Sequence, residues 1–360
     1  MSVTAQSLKI PAGRGADLRL ADIGAATVIF SISAFAAGSQ SRTRIATLVS
    51  NVGLAVSALA GLAALPRLTK TSGVALLVMD LLAHLWTLAL LTAAAGPVRT
   101  VGWRAFLGAF LFGFLGLTGL ARFLGRPLIL ALGTSSLFAA AIWVPITEEL
   151  CKMLPVILIL VLALRRMEKR PPLLDLVLVG AWAAAGFALY ENATYGRGGF
   201  SLTAIPIVSS IFPATLKGSA FGWTVSQSGH MVHTMLIALG VGFAFLYRSR
   251  LRRSWIVAAS ALAVTLIEHC SQNAISTGGA NKIVAEVLLA ITLSGRLSAI
   301  LVVAGVAYVL TIEWRAVGGG FRPAQWLRLR PAELQRRSAL LAALQTRETP
   351  GTTNIHENSP

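Results

Sequence analysis

Val144-Pro145-Ile146-Thr147-Glu148-Glu149-Leu150-Cys151-Lys152-Met153-Leu154-Pro155 opens a run that is otherwise apolar through Leu164. Two adjacent carboxylates and a lysine stand at the head of a segment long enough to cross a bilayer. A charge at the centre of a membrane helix costs ~2.5–3.5 kcal/mol on insertion scales. Three charges within five residues are a large penalty for a purely structural segment, so this cluster is the first candidate for chemistry.

The rest of the chain sets that run in a membrane. Of 360 residues, 55% are hydrophobic and 12% charged, with mean hydropathy +0.73. Soluble domains carry roughly 25% charged residues. The net charge of +17 falls in short clusters between apolar runs. That is the pattern of loops obeying the positive-inside rule, and it offers no basic face with interleaved aromatics for nucleic acid. Two cysteines, Cys151 and Cys270, make no disulfide framework and read as small packing residues. The first 22 residues mix Lys9, Arg14, Asp17, Arg19 and Asp22 with no apolar core. They read as a cytoplasmic N-terminal segment, and the first hydrophobic run as a retained membrane helix.

Apolar runs at 23–37, 45–65, 73–95, 103–120, 128–143, 145–164, 173–190, 225–247, 255–273 and 283–314, the last long and interrupted by Gly295-Arg296, predict an all-α, polytopic membrane helix bundle of about ten transmembrane helices. The basic clusters Arg165–Arg170 and Arg248–Arg253, and the tail with Arg328, Arg330, Arg336 and Arg337, are expected on the cytoplasmic side. Alternation between them requires 204–216 to stay on the outer side without crossing. Counting back places Arg122, Arg126, Arg67 and Lys70 inside, Arg99 and Arg104 outside, and both termini in the cytoplasm of a multi-pass cell-membrane protein. Residues 331–346 read as a basic amphipathic surface helix and 348–360 as disordered.

This topology places four polar clusters at one depth. Glu148-Glu149 lie 16 to 17 residues from Arg165, Glu191 lies 18 after Leu173, His230 lies 18 before Arg248, and His269 lies 15 after Ser254. With Asn273 these sit about 22–29 Å from the cytoplasmic face at 1.5 Å per residue. Independent structural polar residues have no reason to share a layer, whereas a common site does. Neighbouring residues diverge by about 100° on a helix. One of Glu148 and Glu149 can therefore bind or catalyse while the other pairs with Lys152. Each cluster also has a structural reading: an ion pair, a solvated helix end, a core histidine, a polar seam between helices. Asp80 and His84, four apart, can pair or relay a proton, and Arg296 can pair with a carboxylate or snorkel.

Two histidines and a carboxylate with an open position form a catalytic zinc arrangement, with a second glutamate as general base. The His-Glu-x-x-His helix and the Gly-x-Ser-x-Gly elbow are both absent. A proton-coupled transporter also places Glu, His and Lys at one depth, and a non-catalytic membrane scaffold is a further reading.

Glu148-Glu149-Leu150-Cys151-Lys152 resembles the Glu-Glu-x-x-Lys motif of the PrsW family of intramembrane proteases, within the CAAX-protease and bacteriocin-processing superfamily. Phe187-Ala188-Leu189-Tyr190-Glu191-Asn192 resembles its Phe-x-x-x-Glu-Asn motif. His230 with Thr234, Gly240 and Gly242 resembles the third motif, and His269 to Asn273 the fourth. His233 is an additional histidine, and the glycine spacing favours His230. The resemblance implies a catalytic membrane core over 121–314. It is preceded by membrane helices of unknown role at 23–120 and followed by a basic cytoplasmic tail at 315–360. It implies hydrolysis of a peptide bond in a membrane-protein substrate, in contact with the lipid bilayer. Glu148 or Glu149 would activate a water. Glu191, His230 and His269 would be ligands of a zinc ion, or the histidines oxyanion stabilisers in a metal-free version. Asn273 would orient a partner or donate to the oxyanion.

Overall fold

In the computed structural model, residues 74–96, 98–134, 136–165, 171–195, 228–247, 253–277 and 281–316 are described, with the isolated Ala339. The runs expected at 23–37, 45–65 and 204–216, and the tail after 316 apart from Ala339, lie outside them. The described residues form eight helices: α1 (Val74–Ala94), α2 (Trp103–Leu132), α3 (Val144–Arg165), α4 (Leu173–Tyr195), α5 (His230–Leu246), α6 (Ser254–Thr277), α7 (Asn281–Ile291) and α8 (Leu297–Ala316). Four have stretches long and apolar enough to cross a membrane: Trp103–Leu132, Leu173–Thr194, Ser254–Ile275 and Leu297–Arg315.

The bundle is built around α4. Its apolar stretch is 94% buried, against 33% for α6 and 28% for α8. A helix that is apolar on every side has no polar face to turn outward and must sit in the middle. It is crossed most closely by α2. A side-chain carbon added at Gly113 would collide with the Ala183 backbone, and one at Gly186 with the carbonyl of Phe110. Small residues let the two backbones approach, as membrane helices need when lipid supplies little driving force. At the crossing, α2 widens into a π-helical stretch, Phe112–Leu117. The Thr118 hydroxyl sits 3.0 Å from the Gly113 carbonyl and 2.8 Å from that of Phe114, serving acceptors that the wide turn leaves poorly paired.

One end of the bundle is pinned by two buried carboxylates. Asp175, in the first turn of α4, accepts from the Thr100 amide (2.8 Å), the Thr100 hydroxyl (2.7 Å) and the Val101 amide (2.9 Å). Glu313 on α8 accepts from the amides of Leu173 (2.6 Å) and Leu174 (3.4 Å) and from the Tyr247 hydroxyl (3.1 Å). The starts of α2 and α4 and the ends of α5 and α8 therefore share one layer. Toward the other end, the Arg122 guanidinium lies 4.9 Å over the Tyr190 ring. Helices α2 and α4 run parallel.

Two expected spans merge here. Runs 103–120 and 128–143 were separated at Arg122 and Arg126, but α2 continues unbroken through both arginines and through Pro127. A long arginine on a helix face extends its charge past apolar surface without ending the helix. The chain reverses at Gly133, which has φ +86°, and Ser136, whose side chain accepts from the Ala139 amide. A short π-helical stretch, Leu137–Trp143, then leads directly into α3. The expected run 283–314 is likewise two helices. It breaks at Leu293, Ser294 and Gly295, which have φ of 55°, 60° and 80°.

Candidate active site

Four helices bring the polar clusters together at the end of the bundle away from Asp175 and Glu313. Lys152, one turn into α3 from the glutamates, is wholly buried. Its ammonium donates to Glu149 Oε1 at 2.7 Å and to His230 Nδ1 at 2.7 Å. Phe187 on α4 closes over it, with the ring centroid 4.9 Å from Nζ, and meets the His230 ring edge-on at 5.3 Å.

The partners dictate the histidine tautomers. Because His230 Nδ1 accepts from Lys152, its ring proton sits on Nε2, which donates to Glu191 Oε2. His269 Nδ1 lies 2.8 Å from Glu149 Oε1 and donates to it, which leaves Nε2 as a lone pair, 3.4 Å from Glu148 Oε2. The two adjacent glutamates thus take different roles. Glu149 is held between Lys152 and His269, while Glu148 Oε2 is buried with no hydrogen-bond partner. Glu191 and His230 form the accessible edge, each side chain 18% exposed, against 1% for Glu149.

Asn273 lies beside this group rather than in it. Its amide donates to the Ala140 carbonyl at 3.1 Å, on the π-helical stretch that leads into α3. His233, one turn along α5 from His230, stacks on His269 with centroids 5.4 Å apart and 26° between planes.

Two features were not legible as parts of the site. Asp80 on α1 pairs with His84 at 3.3 Å and accepts from Asn192 Nδ2 at 3.0 Å, beside Glu191. Glu268, next to His269, is fully buried and faces the α7–α8 break. It accepts from the Ser298 amide at 3.1 Å and from the Ser298 hydroxyl. Ser228 Oγ lies 3.0 Å from Glu268 Oε2 and 2.8 Å from the Gly295 carbonyl. Non-helical backbone between membrane helices needs such internal partners. The sequence signal for Asp80 was its i, i+4 spacing to His84; for Glu268 it was a carboxylate inside an apolar helix, adjoining the histidine.

A family model described as PrsW family intramembrane metalloprotease matches residues 101–312. The chain belongs to the PrsW family. No curated protein and no solved structure matches it. The matched region holds every motif residue named from the sequence and begins with the loop held by Asp175.

The residues of this PrsW chain fit a metal. Glu148, His230 and His269 each offer a donor atom, all within 4.8 Å of one another, and so do Glu149, His233 and His269. Carboxylate and imidazole donors suit a first-row divalent ion such as zinc. Buried carboxylate oxygens of Glu148 and Glu149 lack partners. Composition points the same way: among the described residues, the cluster holds four carboxyl groups, Glu148, Glu149, Glu191 and Glu268, and one buried ammonium, Lys152. An uncompensated buried charge is costly, and a divalent cation reduces it.

Proposed function

We propose that this PrsW-family chain hydrolyses a peptide bond of a membrane-protein substrate in the outer third of the bilayer, with the Glu148–Glu149–Glu191–His230–His269 cluster as its active site. The observation that carries this reading is the convergence of five chemically competent side chains from four helices, with an accessible carboxylate–imidazole edge at Glu191 and His230.

Glu148, His230 and His269 would hold the metal, because their donor atoms lie within 4.8 Å of one another; His269 offers its free Nε2, and His230 would give up its bond from Lys152 or its Nε2 proton to do so. When bound, such an ion supplies Lewis-acid polarisation of a carbonyl and makes a water easier to deprotonate. Glu191 meets His230 but belongs to neither cluster of donors among the described residues, so the carboxylate ligand is Glu148 and the base is Glu191. Glu191 takes a proton from water as the water oxygen attacks the carbonyl carbon. It returns that proton to the amide nitrogen as the C–N bond breaks. Lys152 is too deep to touch substrate, but it orients Glu149 and His230 and places positive charge behind the developing oxyanion. Asn273 holds the stretch that leads into Glu148.

The test is cleavage of a membrane peptide by purified enzyme in vesicles, with metal content measured alongside. Glu191→Gln should lose at least about 100-fold in rate and keep its metal. Glu148→Gln should lose both. Full activity in both variants overturns the assignment. Loss of metal from Glu191→Gln, with metal retained in Glu148→Gln, reverses the two roles.

A further inference from the structure

We propose that this chain has a second, inner cation position, formed by Glu149, His233 and His269, beside the outer one of Glu148, His230 and His269. The inference rests on the metal reading above and extends it to residues that reading leaves unused.

The inner cluster is more enclosed than the outer one. Glu149, His233 and His269 are 1%, 0% and 4% exposed, and their donor atoms lie within 4.8 Å of one another. His233 is its distinctive member. Neither of its ring nitrogens makes a hydrogen bond, although the side chain is wholly buried. Leaving a buried polar group unpaired is costly, and a buried imidazole has two nitrogens to satisfy. Glu268 relieves only one of them. His233 Nε2 stands 3.5 Å from Glu268 Oε2, a long ion-pair contact to an oxygen that also takes bonds from Ser228 and Ser298, and Nδ1 has no partner. Glu149 has a free donor as well: Lys152 and His269 both bind Oε1, while Oε2 is buried and unpartnered.

His269 can serve both positions as a bridging imidazolate: the Nδ1 proton that it now donates to Glu149 is released to solvent when the inner ion takes its place, and Nε2 already faces Glu148 as a lone pair. The outer cluster includes His230 at the accessible edge, where a substrate can reach. The inner cluster lies behind it, out of reach of substrate. An ion there would hold Glu149 and His269 in place and supply counter-charge to the buried carboxylates. Nitrogen and oxygen donors select a first-row divalent ion such as zinc or cobalt.

The test is cobalt(II) titration of the full-length, metal-stripped protein in detergent, read by visible absorption and by metal content per chain. The wild type should saturate at about two ions per chain and each histidine variant at about one. The variants are His233→Phe, which keeps the stacked ring and its volume, and His230→Gln. Thermal unfolding shows whether each variant is folded. If His233→Phe does not fold, the wild-type stoichiometry decides alone. Saturation at a single ion that His233→Phe retains overturns the inner position and leaves the outer reading intact. No ion in the wild type overturns both, and a water or a His233–Glu268 pair is then what occupies the inner space.

Discussion

Lys152 is the residue on which the site's electrostatics turn. It is wholly buried and donates to two groups of the site, Glu149 within its own helix and His230 on α5. Removing one partner from a buried ion pair strands the other, at a cost of about 3–5 kcal/mol. Lys152→Met should therefore lower the thermal unfolding midpoint in detergent and abolish cleavage. Lys152→Met combined with Glu149→Gln removes both charges and should recover much of the stability but none of the activity. Recovery of cleavage in the double variant would show that the pair serves only to hold the fold. The same environment shows why the doublet Glu148-Glu149 could be recognised but not apportioned from sequence. Lys152 lies three residues from one glutamate and four from the other, and both spacings permit a pair. The His269 ring, 120 residues away, settles it by donating its own bond to Glu149.

At the scale of elements, the parallel crossing of α2 and α4 decides where the site lies. Gly186 falls in the motif-bearing turn of α4, where an added carbon meets the Phe110 carbonyl. Gly186→Ala should overpack the crossing and destabilise the protein by about 1–3 kcal/mol, with loss of activity as Glu191 shifts. Gly108→Ala is the internal control. It lies in the same α2 with nothing within 4 Å, and should be neutral or stabilising by up to about 1 kcal/mol. Unfolding midpoints of the two variants check the pair, and equal effects would mean that the crossing does not depend on contact at Gly186. The boundaries of these elements were only partly legible. Arg122 and Arg126 resembled a loop, whereas Gly133 and Ser136 form the actual turn with a positive φ and a side-chain cap. Gly295-Arg296 signalled the α7–α8 break, but Leu293 and Ser294 gave no sign that it begins there. Leucine rarely adopts positive φ, and what stabilises the break is Ser228, just before α5, and Glu268 on α6.

For the whole molecule, merging two expected spans into α2 changes the alternation of the chain across the membrane. Between Trp103 and Arg165 there are two long helical passages where three were expected. The Asp175 bonds then bring residues 100–101 to the same side as the start of α4. That side also carries Tyr247 and the start of α6, which flank the basic run of the sequence between them, so we expect Arg99 and Arg104 to be cytoplasmic, in better accord with the positive-inside rule. Single cysteines at the exposed positions Gly102 and Arg253, in a chain with Cys151 and Cys270 replaced by alanine, should be labelled by an impermeant reagent from the cytoplasmic side only. One at exposed Thr134 should be labelled from the outside. Labelling of the Gly102 and Arg253 positions from opposite sides would overturn the arrangement.

Sequence alone determined that this is a helical membrane protein with the PrsW motifs, and which polar residues are the candidates for its chemistry. Apolar length and the cost of charge in lipid act locally, and the four motifs keep their order whatever surrounds them. Tertiary structure decided which glutamate pairs with Lys152, which nitrogen of His269 is free, that His233 faces the site without a hydrogen bond, and that α1 reaches Asn192 through Asp80. These depend on contacts between side chains up to 120 residues apart, whose directions follow from helix rotation and crossing and leave no periodic trace in the chain.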